Sequence, residues 1–274
     1  MSSVKKINAA VAGATGYVGL DLVYLLSNHP KVKLSYLCAK KNIGKKIQYF
    51  DKRIKKKLPK ISKLSSVNWN SIDILFTSLP TGESQKLIKK LFKYEHLRFI
   101  DLSADFRIKN KNIYKKFYKS NHKAPNLIKH SIYSISEFVK NNIKKNKIIA
   151  CPGCYPTSIQ LPLVPLLKKK LIKKNNIIID SKSGFSGAGK NLKKKFSHKN
   201  LFSSIQGSTA ISISSPFPSP TFSPINNIGA SSISPSPITT LPLIFILLSS
   251  DLISSTAAWS AAILSFFPLN FDAP

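Results

Sequence analysis

A strand running straight into a three-glycine turn and then a helix is the feature that most constrains this chain. Ile7-Asn8-Ala9-Ala10-Val11-Ala12 has the short apolar pattern of a buried strand, and Gly13-Ala14-Thr15-Gly16-Tyr17-Val18-Gly19 follows at once. Leu20, Leu22, Val23, Leu25 and Leu26 then recur at the spacing of one helix face. Asn28-His29-Pro30 ends that helix, because proline cannot continue it, and a second strand is expected over Val32–Ala39. Strand, G-x-x-G-x-x-G turn, helix and strand within about 35 residues is the context that lifts a glycine pattern above coincidence. A plain tight strand-to-helix turn is the alternative.

Glycines let the backbone approach a pyrophosphate closely, and a helix N-terminus offers free N–H groups and partial positive charge. Gly13, Thr15, Gly16, Tyr17, Val18 and Gly19 are therefore the expected cofactor-binding residues. An NAD site normally carries an acid at the end of the second strand for the ribose hydroxyls. Here that stretch reads Ser35-Tyr36-Leu37-Cys38-Ala39-Lys40-Lys41, so NADP(H) is the expected cofactor. Two further strands, Ile72–Leu79 and Leu97–Leu102, extend the pattern towards a doubly wound α/β sheet of Rossmann type. Ser78 and Pro80 follow the first of them, ahead of a helix expected from about Glu83 to Tyr94, and join the cofactor-binding set. The second ends in Asp101-Leu102-Ser103-Ala104-Asp105-Phe106-Arg107, which reads either as a ligand loop or as a self-bonded loop with an Asp–Arg pair.

Lys147–Ala150 forms another short strand, followed by Cys151-Pro152-Gly153-Cys154 and the apolar stretch Ile159–Leu167. The C-x-x-C spacing suggests redox or metal chemistry, but the chain holds three cysteines and Cys38 is distant in sequence, so no metal site is expected. Cys154 stands at or just before a helix start, where a thiolate is favoured, and reads as a single nucleophile or a structural cysteine.

From about Lys6 to Gln206 the chain resembles N-acetyl-gamma-glutamyl-phosphate reductases, which are related to aspartate-semialdehyde dehydrogenases. The motifs that carry the resemblance are Gly13–Gly19, Ser78-Leu-Pro-Thr-Gly82, Asp101–Arg107, Cys151-Pro-Gly-Cys-Tyr-Pro-Thr157 and Lys182-Ser-Gly-Phe-Ser-Gly-Ala-Gly189. The resemblance implies NADPH-dependent reduction of N-acetyl-L-glutamyl 5-phosphate to the semialdehyde through a thioester on Cys154, in arginine biosynthesis. It implies cofactor contacts from Gly187 and Ala188, substrate contacts from Arg107, Ser183 and Gly184, and a homo-oligomer. The family usually has Asn where this chain has Cys151. It also supplies a His-Arg-His motif after the glycine-rich segment. The five histidines, His29, His96, His122, His130 and His198, do not form one, so no general acid–base residue is assigned and the activity of the chain as written is in doubt. His29 and His96 are expected at the surface, and His122 and His130 in a Lys-rich connection.

The implied organisation is an NADP-binding domain over 1–150, the start of an α+β catalytic domain over 151–206, and a low-complexity tail over 207–274. The competing readings are a related aminoadipyl- or aspartyl-phosphate reductase and a non-catalytic basic protein that binds nucleotides or polyanions. Net charge, +32, first favours the last of these. Every basic residue, however, lies at or before Lys199, and the three arginines are outnumbered by 40 lysines that rise together with Asn and Ile, as in an AT-rich gene. No specific nucleic-acid partner, no membrane association and a cytoplasmic location are expected. From Ser203 onward the chain has 18 Ser and 9 Pro and no Lys, Arg, Glu or His. That segment reads either as a Ser/Pro linker or as sequence outside the native reading frame. The gene sequence across codons 195–215 separates the two.

Overall fold

The computed structural model of the chain describes residues 6–175, 177–181 and 209–213. These fall in two compact units, one ending at Gly153 and the other beginning at Cys154.

The first unit is built on seven parallel strands. They are β1 (Ile7–Ala12), β2 (Val32–Cys38), β3 (Ile61–Ser62), β4 (Ile74–Thr77), β5 (Arg98–Asp101), β6 (Ser131–Tyr133) and β7 (Ile148–Ala150). Their order across the sheet is β3-β2-β1-β4-β5-β7-β6. Every pairing is parallel, so each strand is reached by a crossover, supplied by α1 (Tyr17–Asn28), α2 (Glu83–Leu91), α3 (Lys111–Tyr118), α4 (Lys140–Ile143) or loops. The expected strands are all present, β1 with its expected bounds and the others trimmed by one or two residues at their ends; β3, β6, α3 and α4 are additions to the expected set.

Apolar runs form these strands because both sheet faces are covered, and the period-2 alternation divides their side chains between two cores. Ala9, Val11, Ile74, Phe76, Ile100 and Ile149 join Leu22, Val23 and Leu26 of α1 on one face. Ala10, Ala12, Leu75, Phe99, Ile148 and Ala150 meet Ile88 and Leu91 of α2 on the other. Burial of a leucine such as Leu22 or Leu26 is worth about 1.5–3 kcal/mol, which holds α1 against the sheet without any side-chain cap. The helix stops at His29, whose N–H donates to Leu26 O at 3.2 Å before Pro30. His29 is buried, against expectation: its Nδ1 accepts from Lys31 N at 3.2 Å, which folds the ring in under the turn into β2.

The second unit, among the described residues, holds α5 (Cys154–Lys168) and an antiparallel pair, β8 (Ile177–Ser181) with β9 (Thr209–Ile213). The class is therefore α/β, with a parallel nucleotide-fold sheet followed by the opening of a second unit. Gly187, Ala188, Ser183, Gly184 and His198 lie outside the described residues, and so does the tail expected over 207–274 apart from β9, which falls within it.

Candidate active site

Strand order reverses between β1 and β4: from β1 the chain proceeds outward to β2 on one side, and later to β4 on the other. In an open parallel sheet the crevice at that reversal, beyond the carboxyl ends of the strands, is where ligands lie. The glycine turn leaves β1 there. Gly13 and Ala14 donate to Cys38 O at 2.9 and 3.1 Å, and Ser78 N donates to Ala12 O at 2.8 Å. The ends of β2, β1 and β4 are thus sewn together at the edge of the crevice.

The glycines of this turn have different reasons. Gly13 has φ +90°, and a Cβ on it would lie 2.1 Å from Ser78 O; a Cβ on Gly19 would lie 2.1 Å from Gly13 O. Both are demanded by the protein's own packing. Gly16 is not: its φ is −71°, ordinary for any residue, and its added Cβ would have Gly13 O at 3.4 Å as its nearest neighbour. The space beside Gly16 is what a side chain would occupy and a phosphate could use. Gly16 is also the N-cap of α1, with no side-chain cap and no acid in the first turn. These features fit a dinucleotide pyrophosphate. Thr15 and Tyr17 are half-buried in the turn, Val18 is exposed, and Ser78 and Pro80 flank it from β4.

On the β2 side no acid follows the strand. Lys40 reaches Glu83 instead, Nζ donating to Oε2 at 3.2 Å, and Lys86 holds the other oxygen at 3.0 Å. These two lysines keep the Glu83 carboxyl below the usual range, Lys86 contributing most.

The Asp101–Arg107 loop turns out to be bonded to itself and its neighbours, and its arginine pairs with carbonyls. Asp101, fully buried, accepts from Thr77 Oγ1 at 2.7 Å and from Ser103 N at 3.1 Å through Oδ1. Its Oδ2 has no hydrogen-bond partner, and burial pushes the carboxyl up despite the Ser103 and Thr77 bonds. Asp105 caps α2 from outside the helix, accepting from Gly82 N at 2.6 Å and Gln85 N at 3.1 Å. Arg107 donates from Nε to Cys151 O at 2.8 Å and from Nη2 to Leu102 O at 2.9 Å, so it clamps the two loops that follow β5 and β7.

Of the three cysteines, Cys38 and Cys151 are buried and Cys154 is half-exposed. Burial, then the Asp101 charge, pushes the Cys151 thiol up to about 12, with Arg107 opposing. Cys154 is the first residue of α5. Among the described residues no three His, Cys, Asp or Glu side chains gather to hold a metal.

Sequence reasoning missed the polar cluster around Asp105. Gln85 Nε2 donates to Tyr114 OH at 2.8 Å, Tyr114 OH donates to Asp105 Oδ1 at 3.4 Å, and Lys123 N donates to Gln85 Oε1. His122, placed in a Lys-rich connection, is buried with Nδ1 accepting from Ala124 N at 3.0 Å and Nε2 donating to Asp105 O at 2.9 Å. The signal available was an uncharged Gln at helical spacing amid lysines. Among the other described histidines, His96 is exposed beside Trp69 O and His130 lies against the Phe92 ring.

A parallel sheet reversing at β1 and a glycine turn that opens α1 without a side-chain cap define a dinucleotide-binding domain. Residues 8–146 match the semialdehyde dehydrogenase NAD-binding domain, and residues 154–209 match the semialdehyde dehydrogenase dimerisation domain. The chain belongs to the semialdehyde dehydrogenase family. It is 45% identical over 199 residues to the N-acetyl-gamma-glutamyl-phosphate reductase of Ehrlichia canis (strain Jake), covering 72% of this chain and 56% of that protein. It is 41% identical over 206 residues to a probable chloroplastic N-acetyl-gamma-glutamyl-phosphate reductase of Oryza sativa subsp. japonica, covering 75% and 48%. The chain spans about half the length of the curated relatives it matches. Among solved structures, aspartate semialdehyde dehydrogenase II from Vibrio cholerae is 19% identical, with 73% of this chain and 54% of that chain covered and a TM-score of 0.49.

Proposed function

We propose that the chain is an NADPH-dependent reductase of N-acetyl-L-glutamyl 5-phosphate, of the kind used in arginine biosynthesis. The observation that carries the chemistry is Cys154: of the three thiols it alone is not sealed in the core, and it opens a helix in a segment matching the family's second domain. Its sulfur attacks the acyl carbon, the acyl–oxygen bond breaks, phosphate leaves, and a thioester forms. NADPH, when bound, would supply the hydride for reduction of this thioester. The resulting hemithioacetal then collapses to the aldehyde, and Cys154 recovers its thiolate. Gly13, Thr15, Gly16, Tyr17, Val18 and Gly19, with Ser78 and Pro80, would hold the dinucleotide, and the absence of an acid after β2 supports NADP over NAD. Gly187 and Ala188 join that set by resemblance, as do Ser183 and Gly184 on the substrate side. Arg107, with two edges on backbone carbonyls, acts as a clamp for the Cys151–Gly153 turn and holds a substrate anion only through its remaining N–H groups.

The proposed division is a dinucleotide-binding domain over 1–150 and the start of the catalytic domain over 151–206, and the family match over 154–209 supports self-association through the latter. No helix among the described residues is long and apolar enough to cross a membrane; a cytoplasmic site of action is part of the same proposal. The test is phosphate-dependent, NADP-linked oxidation of N-acetylglutamate semialdehyde, with aspartate and aminoadipate semialdehydes as competitors. Cys154→Ser abolishes turnover under this mechanism, and retained activity in that variant defeats it. Light scattering reads the oligomeric state.

A further inference from the structure

The thioester route uses one thiol of the C-x-x-C pair and leaves the other, Cys151, without a task. Cys151 is fixed at the end of β7: its N–H donates to Asp101 O at 2.8 Å, and its carbonyl accepts from Arg107 Nε at 2.8 Å. It is buried, whereas Cys154, first in α5, is half-exposed. The link between them is Pro152-Gly153, a turn-forming pair with Pro suited to the first central position of a β-turn and Gly to the second. A solvent reagent therefore meets Cys154 first, and a sheltered second thiol follows three residues away in the chain. A reachable nucleophile beside a protected partner is the arrangement of a reversibly oxidised cysteine pair.

We propose that Cys151 is a resolving cysteine and that the Cys151–Cys154 segment is a site of reversible oxidation by hydroperoxides. The proposal rests on the thioester reading for one thing, the nucleophilicity of Cys154. The Cys154 thiolate attacks one peroxide oxygen, the O–O bond breaks, the other oxygen leaves as hydroxide or alkoxide and takes a proton, and Cys154 becomes a sulfenic acid. The Cys151 sulfur then attacks the Cys154 sulfur. The S–O bond breaks, the Cys151 proton and the departing hydroxide leave as water, and an S–S bond forms. The peroxide gains two electrons and the thiol pair loses two. Closure needs the two Cα atoms within about 7 Å, the span of a β-turn centred on Pro152-Gly153. Because backbone hydrogen bonds hold Cys151 on both sides, the bend falls towards Cys154, and the first turn of α5 gives way. Burial and the Asp101 charge disfavour a Cys151 thiolate, so closure is slow, on the order of minutes. The disulfide takes Cys154 out of use and shields it from oxidation past the sulfenic acid, and a dithiol returns it.

The experiment treats the full chain with a small excess of hydrogen peroxide, denatures it in iodoacetamide, and reads the tryptic peptide 148–168 by mass spectrometry, since that peptide carries both cysteines and no internal Lys or Arg. The wild type is expected to give this peptide unalkylated and lighter by two hydrogen atoms, and dithiothreitol is expected to restore both thiols. In Cys151→Ala and Cys151→Ser, with circular dichroism matching the wild type, Cys154 runs on to sulfinic acid. Dithiothreitol then recovers about a tenth as much Cys154 thiol or less, because dithiols do not reduce a sulfinic acid. In Cys154→Ser the Cys151 thiol stays reduced under the same treatment. The proposal is overturned if wild-type Cys154 reaches sulfinic acid as fast as in Cys151→Ala with Cys151 still alkylated, or if the product is a disulfide between two chains. Turnover with N-acetylglutamate semialdehyde separates the two readings. Activity lost in Cys154→Ser without any disulfide in the wild type leaves the thioester standing and removes the redox site. A disulfide in the wild type with activity retained in Cys154→Ser does the reverse.

Discussion

Cys151 and Cys154 are three residues apart, yet they differ in what a reagent can reach. Cys151 is buried with its thiol pushed up to about 12, and burial also pushes Cys38 up, against a weak opposing contact from Ser62. Brief iodoacetamide treatment of the native protein at pH 8 is expected to label Cys154 alone, read by peptide mass spectrometry, with the other two labelled only after denaturation. The two leading glycines of the first turn give a second contrast. Gly13→Ala forces a Cβ onto Ser78 O in a left-handed backbone and costs more than about 2 kcal/mol in urea unfolding. Gly16→Ala is expected to cost less, under about 1 kcal/mol, since alanine caps a helix less well than glycine, and on the proposed cofactor reading to weaken dinucleotide binding by filling the space beside the turn. At this scale the glycine turn and the cysteine at the start of α5 were legible in the sequence, because residue type and spacing are visible there. The sequence offered Arg107 as half of an Asp–Arg pair or as a substrate contact, and did not foresee that the guanidinium goes to carbonyls, which no pattern of side chains advertises.

Helix α2 begins at Gly82, which has φ +85° and no side-chain cap of its own; Asp105 supplies the cap from the loop after β5. Asp105→Ala is expected to cost about 1–2 kcal/mol by loss of the cap alone, measured by chemical denaturation, and more because Tyr114 and Gln85 lose a shared acceptor. His122 ties the same cluster to the segment before Ala124, and burial lowers its pKa from 6.5. A histidine kept neutral by folding adds stability above its unfolded pKa and loses it as pH falls through the lowered one. Stability should therefore drop below about pH 6.5, and His122→Gln should make that drop shallower; His29, lowered the same way, supplies part of what remains. The central elements were legible because β1, β4, β5 and β7 each carry a short apolar stretch buried on both faces of the sheet. β3 and β6 were not, because two- and three-residue edge strands carry too few side chains to show a period. Helix α3 was hidden by four charged or amide positions among eight: it buries Tyr114 and exposes Ile113 and Phe117.

The chain's charge belongs to the whole molecule. All of its lysines and arginines lie at or before Lys199; among the described residues, ion pairs include those of Lys40, Arg53 and Lys86. Such a surface attracts polyanions without reading them. Retention on DNA is expected at low salt and lost steeply as salt rises, with no preference between sequences, as gel-shift titrations at several salt concentrations would show. Sequence-selective retention that survives physiological salt, without NADPH binding, would instead favour a polyanion-binding protein.

The parallel sheet also sets a timetable for a chain leaving the ribosome. β1 needs β4 for its second neighbour, so this interior strand stays half-dressed until residue 77 has emerged. β6 is synthesised before β7, yet β7 is its sole partner in the sheet, so the stretch Ser131–Tyr133 must wait unpaired until Ile148–Ala150 follows it out. The last strand to be made is the one that seats between two already waiting, β5 and β6. Nascent chains stalled before residue 150 therefore carry an open slot in the sheet, beside the very loop that Arg107 later fastens to the turn ahead of Cys154.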